Sequence, residues 1–321
     1  MKARSLAAGV LALSLVAAAC GDDDDTTADE PTDTTAEEPA EEPAEEPSEE
    51  PAEEPSTETT TATTEAAGEC NPLPLVQEGM LTVATGETVF PPWMGAGEDD
   101  FDDPSTGTGY EGALVFALAE EMGFTADQVT FVRTGFDEVI APGSKDWDFN
   151  IQQYSITPER DEVVDFSDGY YTVDQAIIGA ADSPAASATS IADLKPLRIG
   201  AAIGTTSLDY AEAIIDPDGD VQVYDDNSAA KAAFDAGQVD AIVFDLPTAY
   251  YITAVEITDA SIIGILPEGD TPDELGMLFE DGNPLVPCVN AALQTLSDNG
   301  TLEALEQEWL AAGGDIPVFD S

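Results

Sequence analysis

Arg160 stands out because this chain has very few positive charges with which it could hold an anion. Six basic residues follow Cys20, whereas 47 acidic residues lie after position 69 alone. The basic six are Arg133, Lys145, Arg160, Lys195, Arg198 and Lys231. A cation this scarce needs a reason for its position, and Arg160 has the clearest local context.

The residues before Arg160 predict the start of a helix. Thr157 and Pro158 are typical of an N-cap and a first helical residue, because the hydroxyl accepts an orphan backbone N–H and proline has none to satisfy. Arg160 would lie in the first turn, where the positive end of the helix dipole accompanies a guanidinium that can hold a carboxylate through two bonds. The pattern predicts an anion clamp; the alternative is a surface arginine paired with Glu159 or Asp161.

Longer phrases along the chain place this clamp in a known context. Around Arg160 the sequence reads SITPER at 155–160, VDFS at 164–167 and YY at 170–171. The other phrases are LTVATGETVFPPW at 81–93, GYEGALVFALAEEMG at 109–123, IGAAIGTTSLDYA at 199–211, GQVDAIVFD at 237–245 and TLEALEQEWL at 301–310. In this order they resemble the family 3 extracellular solute-binding proteins, which serve amino-acid ABC transporters.

The resemblance implies a pocket for the charged groups of a free amino acid. Arg160 would hold the carboxylate, supported by Ser155 and by Thr206. Asp245, which ends the apolar run AIVFD, matches the family aspartate that takes the ammonium group. The alternative for Asp245 is an N-cap of the helix that the following Leu-Pro pair predicts, and the two roles can coexist.

By the same resemblance, Phe90 and Phe136 would sandwich the ligand and Gln153 would add a polar contact. Aromatic residues are core residues by default, so only the match favours a wall position for these two. Glu87 and Glu111 fall near family positions that approach the ligand side chain. Two carboxylates there would favour a cationic group such as that of lysine or arginine, although solvated acids are the alternative in so acidic a chain.

The elements that must position these residues alternate between apolar runs and amphipathic segments. The runs 81–85, 197–200, 241–244 and 262–266 alternate with segments that include 113–122, 206–215 and 285–296. This alternation predicts parallel sheets with helices on both faces and a ligand at the carboxyl ends of the strands.

The resemblance adds the domain organisation to this α/β prediction. It implies a periplasmic-binding-protein-like fold in which two α/β lobes are joined by a two-segment hinge, with the ligand cleft between them. We expect lobe 1 to comprise residues 70–174 plus 271–321 and lobe 2 to comprise residues 175–270.

The N-terminal residues predict export and lipid attachment. Lys2 and Arg4 precede an apolar run, residues 6–19, that is too short to span a bilayer comfortably, and Cys20 follows small residues. Residues 1–19 are therefore predicted to be a lipoprotein signal peptide, with a diacylated Cys20 anchoring the chain at the outer face of the cell membrane. A plain secretory signal with a coincidental cysteine is the alternative.

Residues 20–69 predict a disordered, lipid-anchored linker. They hold 20 acidic side chains and no basic ones, and they include five EEP units. Proline and charge repulsion favour an extended chain with nothing to bury. Beyond this segment only Cys70 and Cys288 remain, and in an exported protein we predict that they form a disulfide; free thiols are the alternative.

Composition narrows the classes of function. The chain contains no histidine, which excludes His-based catalytic triads and His-ligated zinc sites. The acidic excess opposes binding to nucleic acid. We predict a monomeric receptor without cofactor or metal, not an enzyme, that captures an amino acid and docks on the permease of an ABC transporter. The alternatives are a cleft enzyme of dehydratase or lytic type, with Glu111 as general acid, and a ligand sensor.

Overall fold

Two β-sheets organise residues 70–95, 101–269, 272–310 and 316–320, which are the residues that this computed structural model describes. By their contacts, all of these belong to one unit, Glu58–Ser321. The predicted signal peptide, Cys20 and the whole predicted linker, up to position 69, therefore lie outside the described residues. No helix within the described ranges is long and apolar enough to cross a membrane.

The strands carry the apolar runs that the sequence shows. In chain order they are β1 (Leu81–Gly86), β2 (Val129–Thr134), β3 (Phe149–Ser155), β4 (Val164–Phe166), β5 (Tyr171–Thr172), β6 (Gln175–Ala180), β7 (Ile199–Ala202), β8 (Gln222–Tyr224), β9 (Ala241–Asp245), β10 (Ala260–Ile265) and β11 (Glu274–Glu280).

The helices lie between them. In chain order they are α1 (Tyr110–Glu121), α2 (Phe136–Ile140), α3 (Pro158–Asp161), α4 (Ile191–Leu194), α5 (Thr206–Tyr210), α6 (Asn227–Asp235), α7 (Leu246–Tyr251), α8 (Val286–Asp298) and α9 (Thr301–Trp309). Single π-helical turns, Ala211–Ile215 and Ile252–Glu256, extend α5 and α7.

The first sheet has the strand order β2-β1-β3-β11-β4, and β5 also pairs with β11. β1 lies parallel to both β2 and β3, whereas β11 runs antiparallel to β3. Helices α8 and α9 pack with α1 against this sheet. We call this sheet with α1, α2, α3, α8 and α9 lobe 1.

The second sheet has the order β10-β6-β9-β7-β8. β7 lies parallel to β8 and β9, while β6 is antiparallel to β9 in a register that pairs Gln175 with Asp245. We call this sheet with α4 to α7 lobe 2. The predicted architecture of two α/β lobes is thus confirmed.

The central strands of both sheets, such as β1, β6 and β9, are buried on both faces, which explains why they read as nearly continuous apolar runs. Neighbouring residues of one strand point to opposite faces. In lobe 1, Val83 joins one apolar cluster and Ala84 joins another. In lobe 2, Ile177 and Ile178 divide between two clusters in the same way.

Two crossovers between successive strands take the chain from one sheet to the other. The first lies between β5 and β6, and the second between β10 and β11. The C-terminal residues depart from the expectation that 271–321 belong to lobe 1. Val318 bridges Ile265 of β10, and Phe319, which is 3% exposed, lies in an apolar cluster of lobe 2. Burial of this one aromatic ring on the second sheet holds the tail there.

Cys70 and Cys288 form the disulfide that the sequence predicts, with a Cα–Cα distance of 5.6 Å. It fastens the first described residue to α8, next to the main apolar cluster of lobe 1. The two cysteines are separated by 218 positions. The bond therefore restricts almost the whole described chain in the unfolded state.

We expect the Cys70→Ser/Cys288→Ser double variant to lose up to about 5 kcal/mol of unfolding free energy, because an unfolded chain without this crosslink gains loop entropy. Urea denaturation of the variant and the wild-type protein would measure the loss. The double variant avoids leaving one unpaired thiol. Equal midpoints and slopes for the two proteins would contradict the expectation.

Candidate functional site

A cavity of about 330 Å³ lies between the lobes. Lobe 1 lines it with residues after β1, the β2–α2 turn and the end of β3, while lobe 2 contributes the β7–α5 turn, the start of α6 and the end of β9. Because β1, β2, β3, β7, β8 and β9 all end there, the cavity lies where parallel α/β sheets place their ligands.

Arg160 lies where the two lobes meet. Thr157 caps α3, as predicted, by accepting the backbone N–H of Arg160 at 3.3 Å. The guanidinium donates from Nη1 to the carbonyl of Ser155 (2.6 Å) and from Nη2 to the carbonyl of Gly204 (2.8 Å). It is 8% exposed and lies 5.7 Å from the centre of the Phe136 ring. Both lobes therefore hold this cation through neutral groups.

The alternative of a surface ion pair for Arg160 is wrong. Arg160 is buried and forms no salt bridge with any residue in the described part of the chain, including Glu159 and Asp161. The side chain lines the cavity instead. Its charge is thus available to an anion that enters the cleft.

The hydroxyl groups of Ser155 and Thr206 meet across the cleft at 3.2 Å. Both residues line the cavity, Ser155 from the end of β3 and Thr206 from the start of α5. Thr205 caps α5 by accepting the Leu208 N–H at 3.2 Å. The structure therefore brings together the three residues expected around a ligand carboxylate, which are Arg160, Ser155 and Thr206.

Gly204 lets the lobe 2 turn approach lobe 1 closely. Its φ is +70°, and a Cβ at this position would collide with the carboxylate of Asp137. Asp137 belongs to α2 in lobe 1 and lines the cavity. Only glycine combines this left-handed backbone with the space that the contact leaves.

Asp245 ends β9 and faces the cavity. Its side chain does not cap α7, and one carboxylate oxygen accepts a 2.7 Å bond from Nε2 of Gln175. Burial, and then the charge of Asp273, raise the pKa of Asp245 from 3.8 to about 7, against the lowering effects of Gln175 and Arg160. A cation bound beside this carboxylate would favour its charged form.

The expected wall residues Phe90, Phe136 and Gln153 all line the cavity. Phe136 stacks on Tyr154, with ring centres 4.5 Å apart, and the Tyr154 hydroxyl donates to the Phe136 carbonyl at 3.0 Å. Glu87 also lines the cavity, from an exposed position after β1. The stack gives Phe136 a fixed orientation beside Arg160.

Glu111 departs from its expected place beside the ligand side chain. It is 0% exposed at the start of α1 and is not among the residues that line the cavity. Its carboxylate accepts bonds from the Tyr170 hydroxyl (2.5 Å), from the Gln153 backbone N–H (2.8 Å) and from the Gln153 side-chain amide. Glu111 therefore contacts the cavity-lining residue Gln153 from the side that faces away from the cavity.

The bonds to Glu111 stabilise an unusual backbone at Gln153. This residue has φ +51°, in the left-handed region that costs non-glycine residues roughly 1–2 kcal/mol. Glu111 accepts both the backbone and the side-chain donors of Gln153 and so favours this conformation. Burial raises the pKa of Glu111 from 4.5 to about 7, although these hydrogen bonds lower it in part.

Acidic residues that the sequence argument did not single out also surround the cavity. Asp137 and Glu138 line it from lobe 1, and Asp225 and Asp226 line it from lobe 2. With Glu87 and Asp245 they face a single basic residue, Arg160, among the described lining residues. Negative charge therefore predominates around the cavity.

Gln175 and Asp273 were also missed by the sequence argument. Gln175 opens an apolar strand, where a buried amide gives no periodic signal, and Asp273 lies before β11 in the second crossover. Both are buried and are joined by a 3.1 Å bond. Among the residues with described positions, no group of three or more His, Cys, Asp or Glu could hold a metal ion.

Comparison with known proteins identifies related chains. The family model of bacterial extracellular solute-binding proteins, family 3, matches residues 81–312. The L-cystine-binding protein TcyJ of Escherichia coli K12 is 28% identical over 240 residues, covering 74% of this chain and 84% of TcyJ. The arginine-binding extracellular protein ArtP of Bacillus subtilis 168 is 28% identical over 211 residues, covering 63% and 77%.

Solved structures show the same similarity. An ancestral arginine-binding protein bound to glutamine is 29% identical, with a TM-score of 0.62, and the match covers 74% of this chain and all of that one. An ancestral amino acid-binding protein described as a precursor of cyclohexadienyl dehydratase is 28% identical, with a TM-score of 0.61, covering 78% and 100%.

Replacing Glu111 with glutamine should change how stability depends on pH. The raised pKa means that the folded protein binds an extra proton between pH 4.5 and about 7, so the stability present below pH 4.5 is lost as pH rises through about 7. Relative to wild type, Glu111→Gln should gain about 3 kcal/mol of unfolding free energy across this window.

Denaturant unfolding at several pH values would measure this difference. Glu120→Gln, at an exposed position of the same helix, is the matched control and should follow the wild-type profile. A constant difference between Glu111→Gln and wild type at every pH would show that the buried carboxyl group does not titrate in this range.

Proposed function

The chain belongs to the family 3 bacterial extracellular solute-binding proteins, and we propose that it captures a free amino acid with a cationic side chain for an ABC transporter. The relatives of the family include chains named for binding cystine and arginine. In this proposal the protein is monomeric, is anchored at the outer face of the cell membrane through Cys20, and passes its ligand to a membrane permease.

The observation that carries the proposal is that Arg160 and Asp245 open onto one cavity from the two lobes. Arg160 has five N–H donors, and two bonds to carbonyl groups leave others for a ligand carboxylate. Ser155 and Thr206 add hydroxyl groups beside it. Asp245 supplies the fixed negative charge that an ammonium group requires.

The charge of the remaining wall supports a cationic side chain. Glu87, Asp137 and Glu138 line the cavity from lobe 1, and Asp137 approaches Gly204, one of the two carbonyl partners of Arg160. A ligand with a second carboxylate, such as cystine or glutamate, would place it among these acids without a second basic residue. Lysine or arginine would place its terminal cation there instead.

Contacts between the lobes support capture by closure. The bond from Arg160 to the Gly204 carbonyl and the contact between Ser155 and Thr206 cross the cleft at the site itself. Farther along, the indole N–H of Trp93 donates to the Thr248 hydroxyl at 2.8 Å. Opening about the two crossovers would break these contacts and expose the cavity.

An enzymatic function has one relative in its favour, the ancestral amino acid-binding protein described as a dehydratase precursor. The residue expected to serve as general acid, Glu111, does not support it. Its carboxylate is directed at Gln153 and Tyr170 and does not line the cavity. A ligand sensor would use the same cleft and would differ only in its partner.

Isothermal titration calorimetry of the purified chain, stripped of copurifying ligand, against the standard amino acids and cystine would test the proposal. We expect arginine or lysine to bind at least about tenfold more tightly than glutamine, because of the acidic wall, and glutamate to bind weakest. Preference for glutamate or cystine would overturn the cationic assignment. Failure of every amino acid to bind would overturn the proposed function.

Replacing Arg160 with alanine should weaken binding of the preferred amino acid by about 100-fold or more, since it removes a charge-assisted bond pair to the ligand carboxylate. Arg160→Lys keeps the charge but loses the planar guanidinium fork, so its affinity should lie between those of wild type and Arg160→Ala. Calorimetry would compare both variants with wild type.

Arg198→Ala is the matched control for this experiment. Arg198 is an exposed arginine of lobe 2 that pairs with Asp240 at 2.7 Å and does not line the cavity. We expect it to bind as wild type does. Equal affinity of Arg160→Ala and Arg198→Ala would show that Arg160 does not bind the ligand carboxylate.

A further inference from the structure

Gln175 lies at the centre of a buried network behind the cavity. It is 1% exposed, and its Nε2 donates to Asp245 (2.7 Å) and to Asp273 (3.1 Å). Its Oε1 accepts a 2.7 Å bond from the Ser207 hydroxyl. These bonds fix the orientation of the amide, because the carboxylates can only accept from it and Ser207 donates to it.

The same residue joins the two crossovers. Gln175 is the first residue of β6, directly after the first crossover, and is paired in register with Asp245 of β9. Its carbonyl accepts the backbone N–H of Leu266 at 2.8 Å, at the start of the second crossover. Asp273 lies at the other end of that crossover. Gln175 thus contacts both crossovers through its backbone and side chain, and its side chain also contacts the cavity residue Asp245.

We propose that Gln175 is a positioning residue, whose amide holds the Asp245 carboxylate toward the cavity and links it to both crossovers. This inference rests on the proposed role of Asp245 as the partner of the ligand ammonium. Gln175 does not line the cavity and so acts through Asp245. The link places the ammonium partner and the crossovers in one hydrogen-bonded unit.

The charges around Asp245 explain why a neutral amide suits this position. The titratable or charged groups that face Asp245 from the elements around it include Asp273, Glu111, Arg160, Tyr170 and Tyr171. Two of them are acids, and one Gln175 nitrogen donates to both Asp245 and Asp273. The amide lies between two carboxylates and favours the charged form of Asp245, which a third acid or an apolar side chain could not do.

Loss of this amide should therefore make Asp245 harder to ionise. Gln175 lowers the pKa of Asp245, which burial raises to about 7. Gln175→Met keeps the length of the side chain and removes both its donors and its acceptor. Removal of a hydrogen bond to a charged group should move the titration midpoint of Asp245 upward by about one to two pH units.

Carboxyl ¹³C NMR of the ligand-free full chain would measure this midpoint without any ligand. The Asp245 signal would be assigned by its absence in Asp245→Asn. We expect an upward shift in Gln175→Met and a smaller one in Ser207→Ala, which frees the amide to rotate. Gln222→Met changes an exposed glutamine in the same sheet and should leave the midpoint unchanged.

Calorimetry with the preferred amino acid should show the same change in binding. Wild-type affinity should fall about tenfold for each pH unit below the Asp245 midpoint, and this fall should begin at higher pH in Gln175→Met. At pH 7 the variant should bind about 5- to 50-fold more weakly, and the difference should narrow at pH 8.5.

The outcomes separate this inference from the proposed function. An unchanged Asp245 midpoint in both Gln175→Met and Ser207→Ala would overturn the positioning role, whatever the protein binds. A uniform loss of affinity at every pH would indicate a merely structural role and would also overturn it. A shifted midpoint in a protein that binds no amino acid would leave the positioning role standing and would reject the proposed function.

Discussion

The solvation of the buried Arg160 guanidinium, which has no carboxylate partner among the described residues, is the interaction on which the arrangement of the cleft depends. A cation removed from water is costly unless polar groups replace its hydration. Around Arg160 these groups are two backbone carbonyls, one from each lobe, and an aromatic face. The cation can therefore remain charged in the closed cleft while part of its donor set still faces the cavity. When the lobes are together, each of them supplies part of this solvation.

The acidic side of the cleft shows the opposite problem. Burial disfavours the charged forms of Asp245 and Glu111, and neither has a basic side chain within hydrogen-bonding distance in the described structure. Glu111 is compensated by donors of the protein itself and so serves the shape of the wall. Asp245 has one amide donor and an open cavity. The same chemical group thus plays a structural role in one place and remains available to a ligand in the other, because of the number of donors around it.

In the proposed function, these features together couple ligand binding to closure of the lobes. The carboxylate end of the proposed ligand would lie against Arg160 and the two hydroxyl groups that meet across the cleft, so binding strengthens contacts that already join the lobes. The ammonium end would lie against Asp245, whose amide partner contacts both crossovers. A ligand that neutralises these buried charges stabilises the closed form by its differential affinity for it.

The helix caps, the apolar strands and the disulfide could be predicted from local sequence. Thr157 and Pro158 predict the helix cap that precedes Arg160, because a cap depends on neighbours within one turn. The alternating apolar runs predict sheets with apolar side chains on both faces. The pairing of Cys70 with Cys288 followed from export and from the shortage of other cysteines. The family phrases predicted that Phe90 and Phe136 line the cavity, and both do.

The hydrogen-bond partners of the buried polar groups depend on tertiary packing and could not be predicted from the sequence. Glu111 lies behind the wall, Gln175 joins Asp245 to Asp273, and Phe319 returns the tail to lobe 2. Residues far apart in the chain make these contacts, and nothing in their own neighbourhoods encodes the partner. Sequence patterns specify which side chains are buried within an element. The packing of one element on another specifies what each buried polar group must bond, since an unpaired group there would cost free energy.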